Sequence, residues 1–133
     1  MRTLVGFGEQ AVPAILAVLT SPQSSYSEID GGLTALRFMV EGAGPVPLTA
    51  GTTAEIRRVA QSRLSGTQYF TTLWYAIDLA VALKEDSLRK TVESLASTRT
   101  EVIARGVTDS KLIEQTQKRA KDRLAGIPAL PRF

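Results

Sequence analysis

Residues 8–19 read Gly-Glu-Gln-Ala-Val-Pro-Ala-Ile-Leu-Ala-Val-Leu, a proline set among good helix formers. Inside a helix a proline removes a hydrogen bond and clashes with the preceding turn. In the first turn its missing N–H has no partner to lose and its φ is already helical. The spacing therefore predicts a helix over about 9–20 with Pro13 near its start and Val12, Ile15, Leu16 and Leu19 on one stripe. Ser21-Pro22 ends it, since proline cannot continue the ladder and biases its predecessor away from the α region.

The rest of the chain repeats this pattern. Ser25 and Glu28 have capping-box spacing and open a second helix to about Glu41, with Ile29, Leu33, Leu36, Phe38 and Val40 as its apolar face. Gly31-Gly32 weakens that helix by about 1 kcal/mol per glycine and marks the close approach of a neighbouring backbone. Residues 41–51 form the clearest loop. Thr52 and Glu55 predict a cap for a third helix reaching Leu64, stopped by Ser65-Gly66. A fourth helix, from about Tyr69 to Lys84, carries Leu73, Ile77, Ala80 and Val81, the most hydrophobic stripe of the chain. Asp86 or Ser87 caps a fifth through Leu95. Thr98 and Glu101 predict another cap before a short segment ending at Arg105-Gly106. Asp109 caps the last helix, where Leu112, Thr116, Ala120 and Leu124 share a face. No stretch alternates as a half-buried strand does. The expectation is one all-α domain over residues 1–133, of six to seven helices in about three antiparallel pairs, with a proline-containing tail at 127–133.

The opening stretch resembles the first helix of a HEAT-type repeat. Gly8, Ala11, Val12, Pro13 and Leu16 carry the resemblance, and a second amphipathic helix follows as it does there. The match covers about a quarter of the chain. Two further pairs, Thr52–Leu64 with Tyr69–Lys84 and Asp86–Leu95 with Asp109–Ala125, lack the Ala-Val-Pro run. The resemblance implies a short right-handed α-solenoid, in which stacked pairs share a continuous core and terminal pairs need polar outer faces. Leu4, Val5 and Phe7 would then fold under as a short cap or lie at an N-terminal edge covered by a partner, a second copy of the chain or an upstream segment.

Composition narrows the chemistry. The 133 residues are 44% hydrophobic and 22% charged, as in an ordinary globular protein, and contain neither cysteine nor histidine. Disulfides, thiolate metal sites, cysteine nucleophiles and the Ser-His-Asp arrangement are excluded. No catalytic residue, metal or cofactor is expected. Gly42-Ala-Gly-Pro lacks the lysine and hydroxyl of a phosphate loop. No run of 18 uncharged apolar residues occurs, so no membrane span is expected. The compartment stays open, with the cytoplasm favoured for a soluble chain and a leader removed before Met1 not excluded.

Asp78 stands out as a carboxylate inside the most apolar helix, one turn beyond Trp74 and close to Tyr75. Two roles suit it, a ligand-binding group in a groove or a partner for a backbone amide or an arginine of a neighbouring helix, and the second is favoured. Trp74 with Asp78 also resembles the aromatic and acidic pair of HEAT-like DNA alkylpurine glycosylases, although no other motif of theirs matches. A third class is an enzyme or enzyme subunit, as with the HEAT-like lyases that attach bilins to light-harvesting proteins, in which catalysis would rest on a carboxylate, tyrosine or arginine.

The leading functional expectation is a non-enzymatic interaction or scaffold module that binds a protein partner through its inner face or open edge. Arg37, Glu41 and Asp78 would line that face as exposed positions, with Tyr69, Trp74 and Tyr75 as aromatic anchors. The alternative is nucleic-acid binding. Residues 110–133 hold six basic and two acidic side chains, a local excess of four against +3 for the whole chain. Arg57, Arg58, Lys118, Arg119, Lys121 and Arg123 would then contact phosphate, with steep salt dependence. Aromatics that could stack on bases are missing from that last helix.

Overall fold

The computed structural model describes residues 8–42 and 47–127 and is all-helical, with no strand among them. Most of the Gly42–Pro45 stretch, Leu4–Phe7 and residues 128–133 lie outside the described residues. A 3-10 turn, Gly8–Ala11, leads into α1 (Val12–Thr20). α2 (Tyr26–Val40), α3 (Ala50–Ser65), α4 (Phe70–Ala82), α5 (Asp86–Ser97), the short α6 (Arg99–Ala104) and α7 (Ser110–Leu124) follow.

Pro13 sits in the first turn of α1, where its missing N–H costs no intrahelical bond. Val12, Ile15 and Leu19 are buried and Leu16 is half-buried. Carbonyls of the last turns of α1 are met from several directions. Thr20 donates to Leu16 O at 2.9 Å, Ser24 to Val18 O at 2.6 Å, and the Arg63 guanidinium reaches Leu19 O. At the end of α3 the same device recurs, where Arg105 reaches Leu64 O. In each case a guanidinium supplies the donors that a helix C-terminus lacks.

Both halves of the Ser25–Glu28 capping box form, at 3.2 and 3.0 Å. Asp109 caps α7 through the amides of Lys111 and Leu112. The other three expected caps differ. The helix α5 has Glu85 at its N-cap position rather than Asp86 or Ser87, and no side chain caps it. α3 begins earlier, with Thr49 as its cap accepting from the Thr52 amide at 3.3 Å. Glu9 of the opening turn accepts from the Thr49 amide and hydroxyl, at 3.1 and 2.5 Å, which favours that earlier start. At α6 no side chain caps the N-terminus, and Glu101 pairs with Arg105 instead, at 2.9 Å.

The helices pack in an order that follows the chain. α1 lies on α2, α3 on α4 and α5 on α7, while α2, α4 and α7 form one closely packed row. α1 touches α3 and α3 touches α5 on the other side, more lightly. α4 is the centre of the molecule, and Thr72, Leu73, Ala76, Ile77, Asp78, Leu79 and Ala80 are all buried there. Phe38, expected in the apolar face of α2, is instead 36% exposed, because the buried stripe runs through Ile29, Leu33, Ala35, Leu36 and Met39. Gly32 explains the tight seat of α1 on α2, since a Cβ there would stand 3.1 Å from Leu19 Cδ2. The neighbour it approaches is therefore a side chain rather than backbone. Gly106 adopts φ +92° and a Cβ on it would meet Thr67 Cγ2 at 2.8 Å, so both conformation and space call for glycine.

A spacing runs through the polar contacts between neighbouring helices. Asp30 is 41 residues from Thr71, Arg37 is 41 from Asp78, and Asp78 is 41 from Arg119. Trp74 and Thr116, hydrogen-bonded at 2.7 Å, are 42 apart. Positions 37, 78 and 119 thus occupy one register on α2, α4 and α7.

Candidate functional site

Two adjoining features mark the seam between α2 and α4. The first is a cleft of about 180 Å³ toward the ends of these helices, lined by the charged Arg37, Glu41, Asp78 and Arg123 together with Val81 and Ile127 among others. The second is an apolar groove of about 510 Å³ toward their beginnings, lined among others by Tyr26, Asp30, Phe38, Tyr69 and Tyr75. Arg37 and Phe38, consecutive in α2, join the two.

Asp78 organises the cleft. Its side chain is 1% exposed, which corrects the expectation of an exposed position on an inner surface. Arg119 grips both carboxylate oxygens, Nε to Oδ1 at 3.0 Å and Nη2 to Oδ2 at 2.5 Å. Arg123 Nε adds a bond to Oδ1 at 2.8 Å, and Arg37 Nη1 approaches Oδ2 at 3.5 Å. A buried carboxylate needs compensation of this kind, because without partners its charge would stand unpaired in a poor solvent. The sites that the three arginines would offer to a ligand are therefore largely used within the protein. Glu41 lies 2.9 Å from Arg37 Nε, although that N–H is not aligned on it and forms no hydrogen bond.

The basic residues set aside for nucleic acid are scattered in the same way. Arg119 and Arg123 turn inward to Asp78. Arg57 pairs with Glu85 at 2.9 Å and Lys118 with Asp122 at 2.7 Å. Arg58 on α3 and Lys121 on α7 remain exposed without an ion pair among the described residues.

The aromatic anchors divide. Trp74 is half-buried, its Nε1 donating to Thr116 Oγ1, whose own hydroxyl donates to Leu112 O at 2.7 Å. It packs edge-on to Phe70 at 5.1 Å and serves the α4–α7 contact. Tyr75 and Tyr69 instead line the groove, and Tyr69 stacks on Tyr26 with ring centroids 4.9 Å apart. The Arg119 guanidinium lies between the two sides, 5.4 Å from the Trp74 ring and 5.5 Å from that of Tyr75.

Tyr26, Asp30 and Phe38 were not anticipated as site residues. Their signal is in the sequence all the same: Tyr26, Asp30, Thr34 and Phe38 recur every fourth position, a second stripe on α2 beside the buried one. Thr71 and Tyr75 supply the facing stripe on α4. Asp30 holds the seam together, its Oδ2 accepting from Thr71 and its Oδ1 from Thr72, both at 2.7 Å. No group of three or more carboxylates able to hold a metal ion occurs among the described residues, and none of their helices is long and apolar enough to cross a membrane.

Scans against protein-family models, curated proteins and solved structures find no match to this chain.

Proposed function

We propose that this chain is a protein-interaction module, a short right-handed superhelix of HEAT-like helix pairs that holds a partner protein against the row of α2, α4 and α7. The observation that carries the functional half is the groove between α2 and α4. Tyr26 is 58% and Tyr69 47% exposed, and both rings border an open apolar space. Exposed aromatics gathered at one groove are what partner recognition uses, since each supplies a large apolar contact with little side-chain entropy to lose.

The repeat reading draws on the spacing of 41 or 42 residues between matched polar contacts, which falls in the range of HEAT and armadillo units. It also draws on pairing in chain order and on the Ala-Val-Pro opening of α1. Nucleic-acid binding has less behind it, because four of its six candidate side chains are held in ion pairs.

The test is capture of partners by the tagged chain from a lysate of its source cells, with and without nuclease. A partner protein kept in fixed proportion after nuclease, and lost from a Tyr26→Ala/Tyr69→Ala variant, is the expected result. Retention that collapses with nuclease refutes the reading in favour of nucleic acid.

A further inference from the structure

We infer that the α2–α4 groove recognises a basic side chain, arginine or lysine, presented by an extended apolar peptide segment of a protein partner, with Asp30 as the group that selects the charge. The inference rests on the interaction reading above and adds the chemistry of the ligand.

The carboxylates on this face are treated differently from one another. Asp78 is met by three guanidinium groups and Glu41 lies beside Arg37. Asp30 receives only the hydroxyls of Thr71 and Thr72, and no basic side chain pairs with it among the described residues. Two hydroxyl bonds orient the carboxylate and use about two of its four acceptor positions. They do not cancel its charge. Asp30 is half-buried and lines the groove, so its remaining acceptors and its field are directed at an apolar space where charge is poorly screened.

The rings add the same preference. On this face Arg37 already lies over Phe38 at 4.8 Å, and Arg119 lies 5.5 Å from Tyr75. Tyr26 and Tyr69 stack on each other and hold no cation among the described residues. A guanidinium or ammonium seated at Asp30 would meet a carboxylate and aromatic faces together, the combination that binds cations once they leave water. An anionic ligand such as nucleic acid is disfavoured at this point by the same carboxylate.

The test is selection of random 12-residue peptides displayed on phage against the full chain, against Asp30→Asn and against Tyr26→Ala/Tyr69→Ala, each first shown to be folded by circular dichroism. The expected result is an enriched set with arginine or lysine at a fixed place among apolar residues, dependent on Tyr26 and Tyr69. The best peptide, measured by calorimetry, should bind Asp30→Asn at least tenfold more weakly. It should weaken equally when its arginine is replaced by citrulline, or its lysine by norleucine. Enriched peptides that need the two tyrosines but carry no basic residue, or bind Asp30→Asn unchanged, overturn this inference and leave the interaction reading standing. Failure to obtain any peptide dependent on Tyr26 and Tyr69 overturns both. Binding recovered only after removal of residues 128–133 would assign the groove to the chain's own C-terminal segment. Dimerisation lost in the Tyr26/Tyr69 variant would assign it to a second copy, and either result overturns the proposal of a partner's peptide.

Discussion

Arg119 reaches Asp78 with two parallel bonds, Nε to Oδ1 at 3.0 Å and Nη2 to Oδ2 at 2.5 Å, and so ties α7 to α4 at the centre of the molecule. Fork-to-carboxylate geometry of this kind fixes orientation as well as supplying energy. With Arg37 one register position earlier, the contact sets α2, α4 and α7 in line.

Removing the carboxylate should therefore be costly. Asp78→Ala is expected to destabilise by about 3–5 kcal/mol, because it strands guanidinium groups in a buried setting. Asp78→Asn should lose less, since the amide oxygen still accepts. Urea unfolding measures both, and a loss under about 1 kcal/mol for Asp78→Ala would show that the arginines find other partners.

Trp74 and Thr116 offer a cleaner test of the α4–α7 seam. Thr116→Val keeps the volume but removes the acceptor for the indole N–H. A loss of about 1–3 kcal/mol is expected, the cost of a half-buried donor left unsatisfied. Trp74→Phe combined with Thr116→Val should cost less than the sum of the single changes, and strict additivity would argue against a coupled pair.

Two glycines in helices should respond in opposite ways. Gly51, in the first turn of α3, has open space where its Cβ would be, so Gly51→Ala should stabilise by about 0.4–1 kcal/mol through the unfolded chain. Gly32→Leu would drive a large side chain into Leu19 and Ile15 and should destabilise by about 1–3 kcal/mol. Thermal melting distinguishes them by the sign of the shift.

Acid should loosen two helix starts. Glu28 is held below the ordinary carboxylate value of 4.5 by the backbone N–H of Ser25 and by its hydroxyl. Glu9 is held below it by the hydroxyls of Thr49 and Thr52 and the Thr49 amide. A carboxyl whose value falls on folding stabilises the native state above the ordinary range, and that contribution disappears as the pH drops through the lowered value. Glu28→Gln should accordingly flatten the acid limb of a stability–pH curve, with little change in the shape of the curve above pH ~6. An acid limb identical to that of the unmodified chain would count against the capping-box account.

Much of this architecture can be read locally. The Ser25–Glu28 box and the Asp109 cap depend on residues three apart or fewer, and Pro13 marks a first turn by its own chemistry. Thr49 was harder to place, because hydroxyls at 49, 52 and 53 compete for one cap and the choice is helped by Glu9, 40 residues away. The inward turn of two basic side chains on α7 is hidden for a related reason. Charge pattern along a helix does not say which way Arg119 and Arg123 turn when the buried carboxylate they meet belongs to another helix. The register linking Arg37, Asp78 and Arg119 escapes comparison of adjacent units because neighbouring positions are complementary in charge rather than alike. Asp30 was legible only as part of a stripe that the stronger apolar stripe of α2 overshadows.

The most direct test of the interaction surface is a crossed comparison of two variants of the full chain in the same partner-capture experiment. Tyr26→Ala/Tyr69→Ala removes two exposed rings of the groove, and Arg58→Gln/Lys121→Gln removes the two nucleic-acid candidates that are exposed and hold no ion pair among the described residues. Loss of the partner protein in the first variant with retention in the second is the predicted result. Retention in the first and loss in the second would contradict the account and return the basic side chains to the centre of the function.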